Sequence, residues 1–303
     1  TPIAIAGLQN CRIAESEGLK GKVMKAKLAL MKAKLALAFL LLTATAEAQW
    51  LNYPTPGIPR LPDGKPNLAA PAPRTPDGRP DLSGLWATPC LECSPSERLF
   101  FDLAKDLNPA DVQMTPWAAA IQKQREGRDH VDDPFGYCLP PGVPRMHFVI
   151  GSYRIVSTPA VTAFLHETAV GMIFRTVFTD GRPLPKVTEP TWLGYSVGRW
   201  EGDTFVVETT GFNDGGWLDT QKGRPHSDAL HLTERFRRRD FGHIDLAITI
   251  DDPKAFLKPW TVRTTLTLQA DWEMLESFCD NHDKTMEHRR ISPAPPEPPS
   301  PAK

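Results

Sequence analysis

The chain lacks most of what a helical, nucleic-acid-binding or membrane-spanning protein needs. Between Tyr153 and Cys279 no apolar pattern of helical period persists for the length of a helix, which argues against a bundle. The formal charge is −1 over 303 residues, so no global field draws nucleic acid or an anionic membrane. After Leu42 no second long apolar run occurs, and none of the length a helical span requires. The histidines show neither His-x-x-x-His nor His-x-His spacing. Cys90-x-x-Cys93 has no second pair at matching distance, as a zinc site wants. That motif lies beside Pro89 and Pro95 with no βαβ unit nearby, which counts against a thioredoxin-like centre. No metal and no cofactor is therefore expected.

What is present begins with a leader. Residues 24–48 have the order of a signal peptide: basic Lys25, Lys27, Lys32 and Lys34, an apolar run Leu35–Leu42, and Ala46-Glu47-Ala48 as a small-x-small cleavage site. The expected product starts at Gln49, is about 255 residues long, and is periplasmic or secreted. Residues 1–23, with Cys11, read as an upstream or non-native segment. Four cysteines remain, Cys90, Cys93, Cys138 and Cys279. An even number in an exported chain suggests disulfides, and the preferred pairing among three is Cys90–Cys93 with Cys138–Cys279.

Residues 49–80 form a Pro-rich arm with a repeat, Leu61-Pro-Asp-Gly-Lys-Pro-Asn-Leu68 and Thr75-Pro-Asp-Gly-Arg-Pro-Asp-Leu82. Pro-Asp-Gly is turn chemistry, so an arm over the domain or a linker is expected. Residues 291–303, nearly all Pro, Ala, Ser and Glu, read as a disordered tail. The folded domain spans 81–290, with an irregular and helical insertion at 87–150. Thr115 caps a helix starting at Pro116 and ending near Glu126, with Gly127 just beyond. Strands follow at 153–157, 161–167, 172–178, 193–200, 204–212, 230–238, 243–250, 260–268 and 274–279. Glu201-Gly202 is a hairpin signal. Alternation at Ile244, Leu246, Ile248 and Ile250 gives each strand one apolar face. The pattern predicts an all-β, antiparallel up-and-down barrel or strongly curved sheet.

Gly84-Leu85-Trp86, at the start of the first strand, resembles the Gly-x-Trp signature of lipocalins, whose tryptophan closes one end of an eight-stranded barrel. The resemblance implies a lipocalin-like (calycin-type) fold and a late arginine on the tryptophan, for which Arg263 is the candidate. The blocks Gly198-Arg-Trp-Glu-Gly-Asp-Thr204 and Pro225-His-Ser-Asp-Ala-Leu230 resemble those of large exported proteins of soil bacteria, a likeness that transfers no function.

The candidate chemistry lies on the strands and one long loop. The rows Leu230, Leu232, Glu234, Phe236; Val161, Ala163, Leu165, Glu167; and Ile173, Arg175, Val177 are each apolar apart from one charge. A charge in an apolar row must be paired or have its pKa moved. Glu167, Arg175 and Glu234 are thus expected to meet inside the barrel, one carboxylate as general acid or base with a raised pKa and Arg175 as an anion or carbonyl binder, or all three as a structural network. His226 and His231 complete the candidate catalytic set. Ser227 beside His226 is a nucleophile candidate or, with Asp228, a strand cap. Asp214, Asp219, Asp251 and Asp252 read as solvated turns, His147 and His166 as satisfied structural histidines, and Arg235, Arg237, Arg238 and Arg239 as a solvated strand end or a polyanion site. Trp192, Tyr195 and Trp217 are the candidate ligand-binding aromatics. Three readings stay open: an exported enzyme performing acid–base or hydrolytic chemistry on a small, partly apolar molecule, a non-catalytic lipocalin-type binding protein, and a cell-surface interaction domain. The expected partner in the first two is a small molecule.

Overall fold

Nine strands close into one barrel in sequence order, and that odd number forces its irregularity. A ring whose neighbours all run antiparallel must contain an even number of strands. The computed structural model describes residues 31, 54–88, 101–149, 151–168, 170–186, 189–276 and 279. The strands are β1 (Gly84–Ala87), β2 (Tyr153–Ser157), β3 (Val161–Thr168), β4 (Gly171–Phe178), β5 (Tyr195–Glu201), β6 (Thr204–Thr210), β7 (His231–Arg238), β8 (His243–Asp251) and β9 (Trp260–Leu268). All junctions are antiparallel, including the closing β1–β9 contact, except β4–β5. That parallel junction has only two paired positions, Val177 with Ser196 and Phe178 with Val197. The expectation of a wholly antiparallel barrel is corrected there. The architecture is a mixed barrel, compatible with a calycin-like fold.

The strand expected over 274–279 is not seen in its described part, since residues 274–276 are irregular. The reason is competition for an edge. β1 already pairs with the end of β9, Trp86 with Leu268 and Ala87 with Thr267, so a hairpin partner has no ladder to join. The chain instead turns out at Asp271, at φ 58°, where Arg60 donates to its carboxylate and Thr55 N–H to Oδ1 at 2.8 Å. Cys138 and Cys279 form a disulfide with Cα atoms 5.6 Å apart, tying the insertion to this departing segment. Cys90, Cys93, the expected leader apart from Met31, and the expected tail lie outside the described residues.

Alternation builds the core. β8 buries Ile244, Leu246, Ile248 and Ile250, and β7 buries Leu232, Glu234 and Phe236 between outward-facing neighbours. Trp86 is fully buried at one end and donates from its indole N–H to Leu82 O at 3.0 Å. Gly84 has φ +144°, and a Cβ there would come within 2.8 Å of Leu268 Cδ1 and 3.2 Å of the Trp86 indole nitrogen. Only glycine permits both the dihedral and the approach. The arginine over Trp86 is Arg238, with Cζ 4.9 Å from the ring centroid. Arg263, the candidate from the resemblance, is exposed on the outer wall, because it sits on the outward parity of β9.

Both Pro-Asp-Gly repeats close as turns, Gly64 N–H to Leu61 O and Gly78 N–H to Thr75 O, each at 2.9 Å. The arginine before each repeat reaches the barrel: Arg60 pairs with Asp271 and Arg74 with Asp203. Leu68 O and Ala70 O accept from Gly242 and Phe241 at 2.8 and 2.7 Å. Helix α1 (Pro116–Glu126) has Thr115 as its N-cap, accepting from Ala118 N–H.

Candidate functional site

Inside the barrel a charged cluster is assembled from six strands and the insertion. Glu234 on β7 and Arg175 on β4 are 0% and 2% exposed. Arg175 Nη1 donates to Glu234 Oε1 at 3.0 Å, and Nη2 bonds to Oε2. Arg175 also donates from Nε to Ser196 Oγ on β5 at 3.1 Å and from Nη2 to Thr209 Oγ1 on β6 at 2.8 Å. These bonds cross the seam where β4 and β5 share only two ladder positions, so the guanidinium ties the strands where backbone pairing is sparse.

The insertion supplies His147. A 3₁₀ turn, Arg145–His147, is anchored by Arg145, which grips Asp133 with two bonds of 2.8 and 2.6 Å. This places His147 Nε2 2.7 Å from Glu234 Oε1. Around it lie Tyr153 on β2, with ring centroids 5.3 Å apart, and His166 on β3, at 5.9 Å. Tyr153 and His166 are cross-strand partners and stack at 4.5 Å. Phe164 and Phe236 complete the surroundings.

Electrostatics follow from this burial. Desolvation pushes the Glu234 carboxyl up, but Arg175 and the His147 hydrogen bond outweigh it and hold the group at about 2. Glu234 is therefore a carboxylate, not an acid with a raised pKa. Burial holds His166 well below its ordinary value, helped by His147 and Arg175, and holds the Tyr153 phenol well above its own, helped by Glu234. Both are neutral at neutral pH. Three buried polar atoms in this cluster, Tyr153 OH, His166 Nε2 and His147 Nδ1, have no hydrogen-bond partner among the described residues. Each such atom costs roughly 1–3 kcal/mol.

Of the five sequence candidates, only Arg175 and Glu234 meet. Glu167 faces outward and accepts from Leu275 N–H at 3.1 Å. The inward row of β3 is Thr162, Phe164, His166 and Thr168, one residue out of phase with the expected row, and a shift of one exchanges the faces of a strand. His231 has the outward parity of β7 and lies 3.9 Å from Glu208. His226 is buried in the long loop, where Nδ1 contacts Ser227 O at 3.2 Å and burial lowers its pKa; Gly216, lacking a side chain, leaves room for its Nε2. Ser227 Oγ is fully buried, donates to Asp252 Oδ1 at 2.8 Å and accepts from Ala229 N–H, the cap rather than the nucleophile. Asp219 and Asp252 are buried, not solvated: Asp219 pairs with Arg224, and Asp252 also accepts Ser227 N–H at 2.6 Å.

The candidate aromatics do not surround the cluster either. Tyr195 OH accepts from Arg182 at 3.1 Å at the surface, Trp192 covers Gly215, and Trp217 lies under Arg125. Arg238 is buried, while Arg235, Arg237 and Arg263 line an outer groove with Asp245. Among the described residues no group of three or more metal-ligating side chains occurs, and no helix is long and apolar enough to cross a membrane. The histidines expected to be satisfied structural groups are only partly so: His147 bonds to Glu234 through Nε2 but leaves Nδ1 without a partner, and His166 Nε2 has none among the described residues. His166 was legible as an inward residue only with the β3 register in hand, and His147 comes from a segment with no periodic signal. No family model, curated protein or solved structure matches the chain.

Proposed function

We propose that the protein is a lipocalin-type barrel that holds a small, partly apolar molecule through one hydrogen-bonding head group. The carrying observation is the set of unpartnered atoms, Tyr153 OH, His166 Nε2 and His147 Nδ1, gathered beside a saturated Arg175–Glu234 pair. Small-molecule sites are apolar with a few convergent polar groups. Phe164 and Phe236 supply the first, and the phenol and imidazoles the second. A hydroxyl or carbonyl head satisfies the phenol as donor and a neutral imidazole nitrogen as donor or acceptor. Export from the cytoplasm, supported by the leader pattern, fits a carrier or scavenger of such molecules.

The test is calorimetric titration of the full chain with a panel of medium-chain alcohols, ketones and aromatic phenols. Saturable binding that is lost in Tyr153→Phe and His166→Phe supports the reading. No binding by the wild type, or binding unchanged in both variants, refutes it.

One observation favours an enzymatic reading. His147 bonded through Nε2 to a carboxylate leaves Nδ1 as its free nitrogen, the base-and-orienter arrangement of acid–base catalysis. In that reading His147 replaces His226 and His231 as base, Glu234 positions it, and Tyr153 is the acid. Turnover of esters or lactones that disappears in His147→Gln while binding survives distinguishes it from a carrier.

A further inference from the structure

Away from the barrel interior, Arg125 is a buried cation without an anion. Its side chain projects from the last turn of α1 and is 7% exposed. The guanidinium carbon lies 4.3 Å from the centroid of the Trp217 ring, and Nη1 donates to Gly223 O at 2.9 Å. No carboxylate among the described residues comes within ion-pair distance of it. Those that act on it from farther away each have their own arginine: Asp133 with Arg145, Asp219 with Arg224, and Asp132 with Arg128. Burial, opposed by those distant carboxylates, lowers Arg125 to about 9. A charge taken out of water without a paired counter-charge is costly.

The free part of Arg125 has a definite shape. With Nη1 committed to Gly223, Nε and Nη2 have no hydrogen bond among the described residues. That edge of the fork is the one that takes a carboxylate with two parallel bonds. Trp217 lies against the face of the guanidinium, His130 makes an edge contact with Trp217 at 5.8 Å, and His130 Nε2 is buried without a partner among the described residues. All three side chains surround Gly223, where a Cβ would meet His130 and Trp217 at 3.2 Å and Arg125 Cβ at 3.3 Å. The exposed rim carries Lys222 and Glu126, 3.9 Å apart.

We propose that Arg125, Trp217 and His130 form a second ligand site, one that takes a small organic carboxylate on the free edge of the Arg125 guanidinium with Trp217 as its aromatic wall. It is built from α1, the turn that follows it and the loop after β6, and so is independent of the barrel-interior reading. An aromatic acid suits it better than a bare anion, because the ring gains contact with the indole while the carboxylate meets the fork.

Benzoate is titrated into the full chain by calorimetry and tryptophan fluorescence, with acetate and inorganic phosphate as comparison ligands. Saturable benzoate binding, weakened about tenfold or more in Arg125→Lys, which retains charge but loses the fork, supports the site, as does a fluorescence change lost in Trp217→Phe. Tyr153→Phe leaves this binding unchanged, which separates the site from the barrel interior. Absence of saturable benzoate binding to the wild type overturns the proposal. So does wild-type affinity in Arg125→Lys, or phosphate binding as tightly as benzoate. Arg125→Gln, checked for folding by circular dichroism, removes binding altogether; should it not fold, the lysine variant decides.

Discussion

His147 Nε2 and Glu234 Oε1 are 2.7 Å apart, with both side chains fully buried. One comes from the insertion, the other from the middle of β7, and they are 87 residues apart in sequence. The insertion is therefore fastened to the barrel interior through a charged hydrogen bond, and the same carboxylate holds the seam arginine.

That sharing makes Glu234 costly to neutralise. Glu234→Gln leaves Arg175 buried opposite a neutral amide, and loss of one partner of a buried pair costs about 3–5 kcal/mol. The joint change Arg175→Met with Glu234→Gln should cost less than the costs of Arg175→Met and Glu234→Gln added together, since no unpaired charge remains. Urea unfolding of the four proteins measures this, and additive costs would refute the coupling.

Acid unfolding should proceed in two stages. His166 is held neutral, so the unfolded chain takes up a proton near the ordinary histidine value of 6.5 that the fold refuses. This contribution is complete above about pH 6.5 and declines as pH falls. His226, also lowered by burial, adds to that branch. Glu234 has the ordinary value 4.5 and about 2 in the fold. Its contribution is complete above about pH 4.5 and is lost as pH falls toward 2, about 3 kcal/mol in all. His166→Phe should flatten the upper branch in part and Glu234→Gln the lower one, read from urea midpoints across pH.

Arg238 and Arg263 should differ sharply despite their shared chemistry. Arg238 covers Trp86 and bonds to the carbonyls of Asp81 and Phe241, so Arg238→Gln should cost about 2 kcal/mol or more through lost stacking and unpaired carbonyls. Arg263→Gln, on the outer wall, should change stability by no more than about 0.5 kcal/mol. Thermal unfolding of the pair compares them directly, and equal shifts would show that Arg238 does not secure the tryptophan.

The Cys138–Cys279 bridge closes a loop with a sequence separation of 141. A link of that length restricts the unfolded chain strongly, typically by about 2–4 kcal/mol. The double change to alanine should lower the unfolding midpoint accordingly under oxidising conditions and make it insensitive to reductant. A wild-type midpoint that does not move with reductant would count against the bridge.

Sequence alone gives a good account of the strands. Alternation in β8 is strict, and Gly202-Asp203 turns the β5–β6 hairpin one residue beyond the expected Glu201-Gly202, because period-two burial and turn chemistry are local properties. The caps of α1 are equally local, with Thr115, Pro116 and Gly127 where the helix begins and ends. The site is less legible. β7 and β4 gave up Glu234 and Arg175 because each is a lone charge on an apolar inward row. β3 misled, since Val161, Ala163 and Leu165 are as apolar as the true inward row and only pairing with β2 chooses the face. His226 and His231 are close in sequence, one in the loop and one opening β7, and closeness along the chain says nothing about where side chains point.

What the residues determine by themselves is a run of hairpins with one wet and one dry face, a capped helix, two Pro-Asp-Gly turns, and two charges that must be buried. The tertiary structure decides the rest: that an odd strand count requires a parallel junction, that β1 takes the edge an extra strand would use, that Arg238 rather than Arg263 meets Trp86, and that His147 reaches Glu234. Local chemistry sets each strand's conformation. Which side chains share a space depends on register and closure, and those are fixed only when distant segments compete for the same hydrogen bonds and the same interior.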